Sequence, residues 1–228
     1  MVSEGIELDR VYGHKFCGPS RAAIQSGRLP IHVTVLDNPL DSVNPKDPDG
    51  GFQGIPRNMT GIASKLKQAG YATKAYGKWH NGVATSSHTP QGRGYDTSLH
   101  YFDAANDYYT QSYLHPCKGE NTNLIDFWNT DGPANKQNNP SDCSQTHQPN
   151  TTCPNEDDIL GQQAVADITA HDPSIPLFMY FASHSIHEPY EAPNSYLNKF
   201  KSVDVEVRQY YDVSVLDVLE CFCDFLLI

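Results

Sequence analysis

The run Cys17-Gly18-Pro19-Ser20-Arg21, followed by Ser26-Gly27-Arg28, carries the most chemistry per residue in this sequence. Pro19 sets a turn, Ser20 can cap a following helix and Arg21 falls in its first turn. A helix N-terminus with a guanidinium beside it favours an anionic species at position 17. A second group is Gly77-Lys78-Trp79-His80. Lys78 and His80 are two apart, so on an extended segment they face one side, where they suit an anionic oxygen and a proton transfer. A third is Ser185-Ile186-His187-Glu188-Pro189. Taken singly, each has an ordinary reading: a buried or paired cysteine, a solvated lysine, a loop histidine. His184, three residues before His187, makes at most a weak metal pair with it and suits a loop histidine better.

These groups need elements to position them. Residues 1–35 hold a short helix-like start and then the Cys17 run. Residues 36–58, rich in Pro, Asp and Gly, read as a surface loop. Thr60 is expected to open a helix with Ile62, Leu66 and Ala69 on one face, closed by Gly70. YATKAYGKW follows at strand length, giving the helix-then-strand unit of α/β layering. Residues 81–158 are mostly polar and read as a long irregular stretch. Residues 159–170 have helical spacing, and 175–183 (IPLFMYFAS) form a continuous apolar run expected to be a buried parallel strand. His187 then leaves the carboxyl end of that strand, where open α/β sheets place their sites.

Composition limits the partners. The 16 Lys+Arg against 27 Asp+Glu give a net charge of −11. Such a chain is a poor general binder of nucleic acid or of an anionic membrane, so an anionic substrate needs cations gathered in one pocket. No run of about 18 apolar residues is present, so no membrane-spanning helix is expected. The first residues have no apolar segment of a signal peptide. Against that stand sequons at Asn58 and Asn150 and a turn-rich cluster of Cys117, Cys143 and Cys153 suited to disulfides. The last residues, 213–228, are mostly apolar and uncapped, which reads as a chain cut within a hydrophobic segment.

Taken together, C-x-P-S-R with its trailing G-R, the G-K-W-H element, Gly92-Arg93-Gly94-Tyr95-Asp96 and the H-x-P element resemble the sulfatase family, most closely the arylsulfatase B group. The resemblance runs from about Glu4 to about Asp217. It implies an alkaline-phosphatase-like α/β sandwich, incomplete here, with a mostly parallel central sheet and helices on both faces. Residues 1–228 would form a partial catalytic domain. It further implies a sulfuric ester hydrolase in which Cys17 is oxidised to formylglycine by a formylglycine-generating enzyme. Hydration to a geminal diol gives one hydroxyl to attack sulfur and another to release sulfate. Arg21, Lys78, His80 and His187 would complete the catalytic set, with Lys78 and His187 on the sulfate and His187 protonating the leaving alcohol. Gly92–Asp96 would be structural.

Substrates implied are sulfated small molecules or sulfated carbohydrates, and the full-length location is lysosomal or secreted. The family's cation, usually calcium, would be held by formylglycine at Cys17 with an Asp-Asp and an Asp-Asn pair that do not occur here in their strand contexts. Asp157-Asp158 is an acidic pair in a polar segment and is not assigned to it. A catalytically inactive fragment or pseudoenzyme is the alternative. A phosphatase of the same superfamily fits less well, because it would carry Ser or Thr at the nucleophile. Since a hard cation needs about six oxygen ligands, the chain is expected to hold calcium weakly or not at all; tight stoichiometric binding in titration calorimetry would contradict this.

Overall fold

The computed structural model describes residues 9–33, 47–50, 54–117, 120–130, 132–134 and 153–203, with single residues 35, 45 and 208. The tail from 213 onward, Asn150 and Cys143 lie outside these. Helix α1 spans Cys17–Ser26 and α2 Pro30–Val33. Helix α3 covers Ile62–Gln68; its cap is Gly61, not Thr60, and Gly70 follows with φ 89°. Strand β1 is Ala72–Lys78 and β2 is Thr97–Tyr101. A hairpin of β3 (Ser112–Cys117) and β4 (Glu120–Ile125) precedes two short strands, β5 (Trp128–Asn129) and β6 (Gly132–Pro133). Helix α4 (Glu156–Thr169), β7 (Leu177–Ala182) and the single turn α5 (Asn194–Leu197) complete the order.

The main sheet runs β6-β5-β2-β1-β7. Strands β2, β1 and β7 are parallel, while β5 and β6 add antiparallel pairs at one side. Alternation along the strands serves two faces. Tyr76, Leu99, Met179 and Phe181 pack with Leu160 and Ala164 of α4. Ala75, Phe178 and Tyr180 pack with Ala63 of α3, Trp79 and Tyr95 on the other face. This is the α/β sandwich the resemblance implies, with helices on both faces of a mixed, mostly parallel sheet.

Four expectations are corrected. Residues 81–158 are not irregular throughout: they contain β2, which sits inside the sheet, and four further strands. Helix α4 begins at Glu156 rather than 159, because Asn155 caps it through a bond from the Asp157 N–H (3.0 Å) and three carboxylates occupy its first turn. β7 is half-buried rather than buried, since among the described residues only β1 borders it. In the 36–58 stretch, expected to lie at the surface, Asp47 and Ile55 are buried. Asn58 is exposed, and Cys153 is held in a disulfide.

The Gly92–Asp96 segment is structural in detail. The Arg93 guanidinium donates to the Met59 carbonyl (2.6 Å), Tyr95 donates to Gln25 Oε1 (3.0 Å) and the Asp96 carboxylate accepts from the Thr73 N–H (2.8 Å). It fastens α1, α3 and β1 together.

Two features of the sheet have measurable consequences. Gly77 has φ 82°, and a Cβ there would stand 1.9 Å from the Ala182 carbonyl oxygen of β7. Gly77→Ala is expected to cost about 3 kcal/mol in a denaturant titration, from left-handed strain plus a backbone clash that parts β1 from β7. His100 of β2 is buried, neither ring nitrogen is hydrogen-bonded among the described residues, and burial pushes its pKa down to about 3. Unfolding lets it protonate near its ordinary value, so its contribution is present above about pH 6.5 and is lost as pH falls toward 3. Between pH 7 and pH 5 the protein is expected to lose about 2 kcal/mol more than His100→Phe; equal losses would remove His100 from the acid sensitivity.

Candidate active site

Cys17 is the first residue of α1. Phe16 precedes it in an extended conformation, and Gly27 ends the helix with φ 65°. Ser20 is therefore not the cap: it lies inside the helix. Its hydroxyl bonds the Phe16 carbonyl (2.8 Å) and accepts from the His14 N–H (2.9 Å), fixing the segment that leads to Cys17. Arg21 lies one turn further on. Its Nη1 donates to the Lys78 carbonyl (2.6 Å) and to the Tyr180 hydroxyl (3.2 Å). One guanidinium thus docks α1 onto β1 and β7 at their carboxyl ends.

Lys78 is the last residue of β1 and only 3% exposed. Its ammonium has no hydrogen-bond partner among the described residues. Burial lowers its pKa, the adjoining Cys17 thiol and Asp103 oppose that, and the Arg21 guanidinium reinforces it. His80 does not continue the strand. It takes φ 50°, and its N–H donates to the Phe102 carbonyl (3.1 Å), so the strand pleat does not set its direction. Its ring comes up against Gly18 of α1, 3.8 Å from where a Cβ would sit. Burial first, then Lys78, Arg21 and His187, push its pKa down to about 3, which keeps it neutral at neutral pH.

His187 leaves β7 on the loop after Ala182. Its Nδ1 lies 2.8 Å from the Glu188 carbonyl. A carbonyl only accepts, so Nδ1 carries the proton and Nε2 is left to exchange one. The structure therefore brings Cys17, Arg21, Lys78, His80 and His187 to one end of the sheet. A free thiol at a helix N-terminus meets an ammonium, a guanidinium and two imidazoles there. That set is electropositive in an acidic chain and can hold an anion beside a nucleophile. A groove of about 520 Å³, lined by residues that include Phe102, Trp128 and Gln91, contains none of the five.

Sequence reasoning missed the layer behind them. His184, read as a loop histidine, is 2% exposed and stacks on Tyr108 with ring centroids 3.7 Å apart. Its Nδ1 lies 3.5 Å from Oε1 of Glu156, which is fully buried. Asp157, read as part of a polar segment, is a buried acceptor in α4. It takes the N–H groups of His184 and Ser185 (2.8 Å each) and the Ser185 hydroxyl (2.5 Å). The readable signal for these was Asn155 followed by three acidic residues, which marks a helix start.

The side chains do not build a metal site: among the described residues no three His, Cys, Asp or Glu side chains converge on a common point. The Asp157 oxygens are taken by the bonds above. Among the described residues, no helix is long and apolar enough to cross a membrane.

The chain is similar to several known proteins. The chain is 29% identical over 211 residues to arylsulfatase J of Mus musculus, covering 92% of this chain and 31% of that protein. It is 36% identical over 97 residues to N-acetylgalactosamine-6-sulfatase of Homo sapiens, covering 42% of this chain and 18% of that one. The chain thus spans about a third or less of the curated relatives it matches. Among solved structures, Ps i-CgsB aligns with a TM-score of 0.68 at 24% identity, covering 91% of this chain and 43% of that one. PsFucS1 sulfatase from Pseudoalteromonas sp. aligns with a TM-score of 0.61 at 17% identity, covering 93% and 43%. Residues 1–223 match the family described as Sulfatase, and the chain belongs to that family.

Proposed function

We propose that the chain forms the nucleophile-and-cation part of a sulfuric ester hydrolase site, within a partial catalytic domain spanning residues 1–228. The observation that carries this reading is the buried Lys78 ammonium, which has no hydrogen-bond partner among the described residues and adjoins Cys17 at the head of α1. A buried charge left without a hydrogen bond is costly unless a ligand completes it. A sulfate oxygen would do so, with the α1 N-terminus favouring the same anion.

The thiol is free and half-buried beside these cations, which fits its conversion to formylglycine by a formylglycine-generating enzyme. In that form the residue would supply a hydrated aldehyde as the nucleophile. The remaining roles fall to the chain's own side chains. Arg21 fixes α1 against the strand ends and adds positive charge. Lys78 binds the sulfate group. His80, neutral by burial, accepts a proton near position 17. His187, with Nδ1 held by the Glu188 carbonyl, uses Nε2 to protonate the leaving alcohol.

Two of the similar structures are complexes: Ps i-CgsB with k-i-k-neocarrahexaose, and BT4656 with its substrate D-glucosamine-2-N,6-O-disulfate. A sulfated small molecule or sulfated carbohydrate is therefore the substrate class we assign. The lysosome or the secretory route is the location we assign to the full-length protein, as its family membership implies. Calcium chemistry is not assigned to this chain, because the described residues supply no ligand cluster. The alternative reading is that the 228 residues bind the anion but turn over no ester.

Inorganic sulfate separates the roles. Sulfate at about 100 times its dissociation constant is expected to stabilise the protein by about 2.7 kcal/mol. Lys78→Met should abolish that gain while stabilising the sulfate-free protein, because it removes the buried charge. A melting temperature indifferent to sulfate in the wild type would sink both readings. Turnover decides between them. With an aryl sulfate and the oxidised residue confirmed by mass spectrometry of the Cys17 peptide, Cys17→Ala and Lys78→Met should each lower kcat by at least about a hundredfold. Anion binding without turnover in the oxidised wild type would select the second.

A further inference from the structure

We propose that Glu156, His184 and Tyr108 form a buried positioning set for His187. The proposal rests on the role given to His187 above. The His187 main chain is held twice: its N–H donates to the His184 carbonyl (3.0 Å), and its carbonyl accepts from the Tyr108 hydroxyl (3.0 Å). The Tyr108 ring lies flat on His184, with an interplanar angle of 2°. The Tyr108 carbonyl accepts from the Glu156 N–H (2.8 Å), which sets the start of α4 against the same tyrosine.

Glu156 closes the arrangement through its side chain. Oε2 accepts from Asn106 Nδ2 (2.7 Å), and Oε1 faces His184 Nδ1. Burial raises the carboxyl pKa and lowers that of His184. Both directions favour neutral groups, a carboxylic acid and an imidazole 3.5 Å apart. Burial makes either charge expensive, so they pack together uncharged. They fill the space behind His187 without adding a charge behind Lys78 and Arg21, and the Tyr108 ring sets the plane of His184. The stack on His184 and the hydroxyl bond of Tyr108 then fix His187 relative to Lys78. A group one bond removed from a reacting residue commonly sets its aim in this way.

The test uses the full chain with three substitutions and two readouts. Tyr108→Phe keeps the stack and removes the bond to His187. Glu156→Leu removes the carboxyl group that faces His184. Glu156→Gln keeps a neutral polar group of the same shape. Amide hydrogen exchange reads the His187 N–H directly. Tyr108→Phe and Glu156→Leu are expected to speed its exchange at least about tenfold while β1 amides keep their protection. In the oxidised protein kcat should fall about tenfold with KM within about twofold, and Glu156→Gln should behave as wild type. Unchanged exchange at His187 in Tyr108→Phe, or a Glu156→Gln protein as impaired as Glu156→Leu, overturns the proposal. If Glu156→Leu does not fold, Tyr108→Phe decides alone. Hydrolysis that survives His187→Ala would count against the functional reading, and the exchange measurement would still decide the positioning set.

Discussion

The docking of α1 through Arg21 is the constraint on which the site depends. Cys17 lies in a helix, while Lys78 and His187 belong to the ends of two strands. Nothing in the sheet's own ladder places a helix N-terminus opposite those ends. The 2.6 Å bond from Arg21 to the Lys78 carbonyl does, and the Tyr180 hydroxyl shares the same guanidinium. The acceptor is the backbone of the residue whose ammonium serves the site. Helix and lysine are therefore registered to each other directly. A lysine in place of Arg21 would offer one point charge instead of a planar fork and lose the simultaneous grip on β1 and β7.

Electrostatics within this frame run against the average. The chain carries net charge −11, yet Arg21, Lys78 and His187 gather at one end of the sheet. Low dielectric does much of the sorting. It drives His80 to the neutral form, and Lys78 lies buried without a hydrogen bond to offset the loss of water. Asp103 is the carboxylate that acts on Lys78. Two further acidic residues behind the site are turned away from it: Glu156 faces the His184 imidazole, and Asp157 is occupied by backbone N–H groups.

What could be read from the sequence followed from signals that are local. The apolar run 177–182 and the strand ending in Gly77-Lys78-Trp79-His80 announce themselves by composition, and the Cys17 run by its Pro, Ser and Arg. β2 did not, because TSLHY carries Thr, Ser and His; it becomes a strand through its pairing with β1, a tertiary effect. The β3–β4 hairpin was hidden by polar residues and by Pro116. The start of α4 was readable from Asn155-Glu156-Asp157-Asp158 and was passed over because the apolar spacing begins later. His184 could not be told from a loop histidine, since its burial comes from Tyr108, 76 residues away, and from Glu156. The same-side argument for Lys78 and His80 assumed a strand that ends before His80 is reached, so their proximity is a property of the left-handed turn.

The missing side chain at Gly77 has a wider meaning. Because the Ala182 carbonyl fills the space a Cβ would need, β1 and β7 meet there backbone to backbone, one residue before Lys78 and at the head of the His187 loop. The two strand ends form a single rigid rim, and a tilt of either is carried to the other without slack. A position that touches no substrate is then as intolerant of change as one that does. What matters there is a vacancy, which no inventory of reactive groups would count.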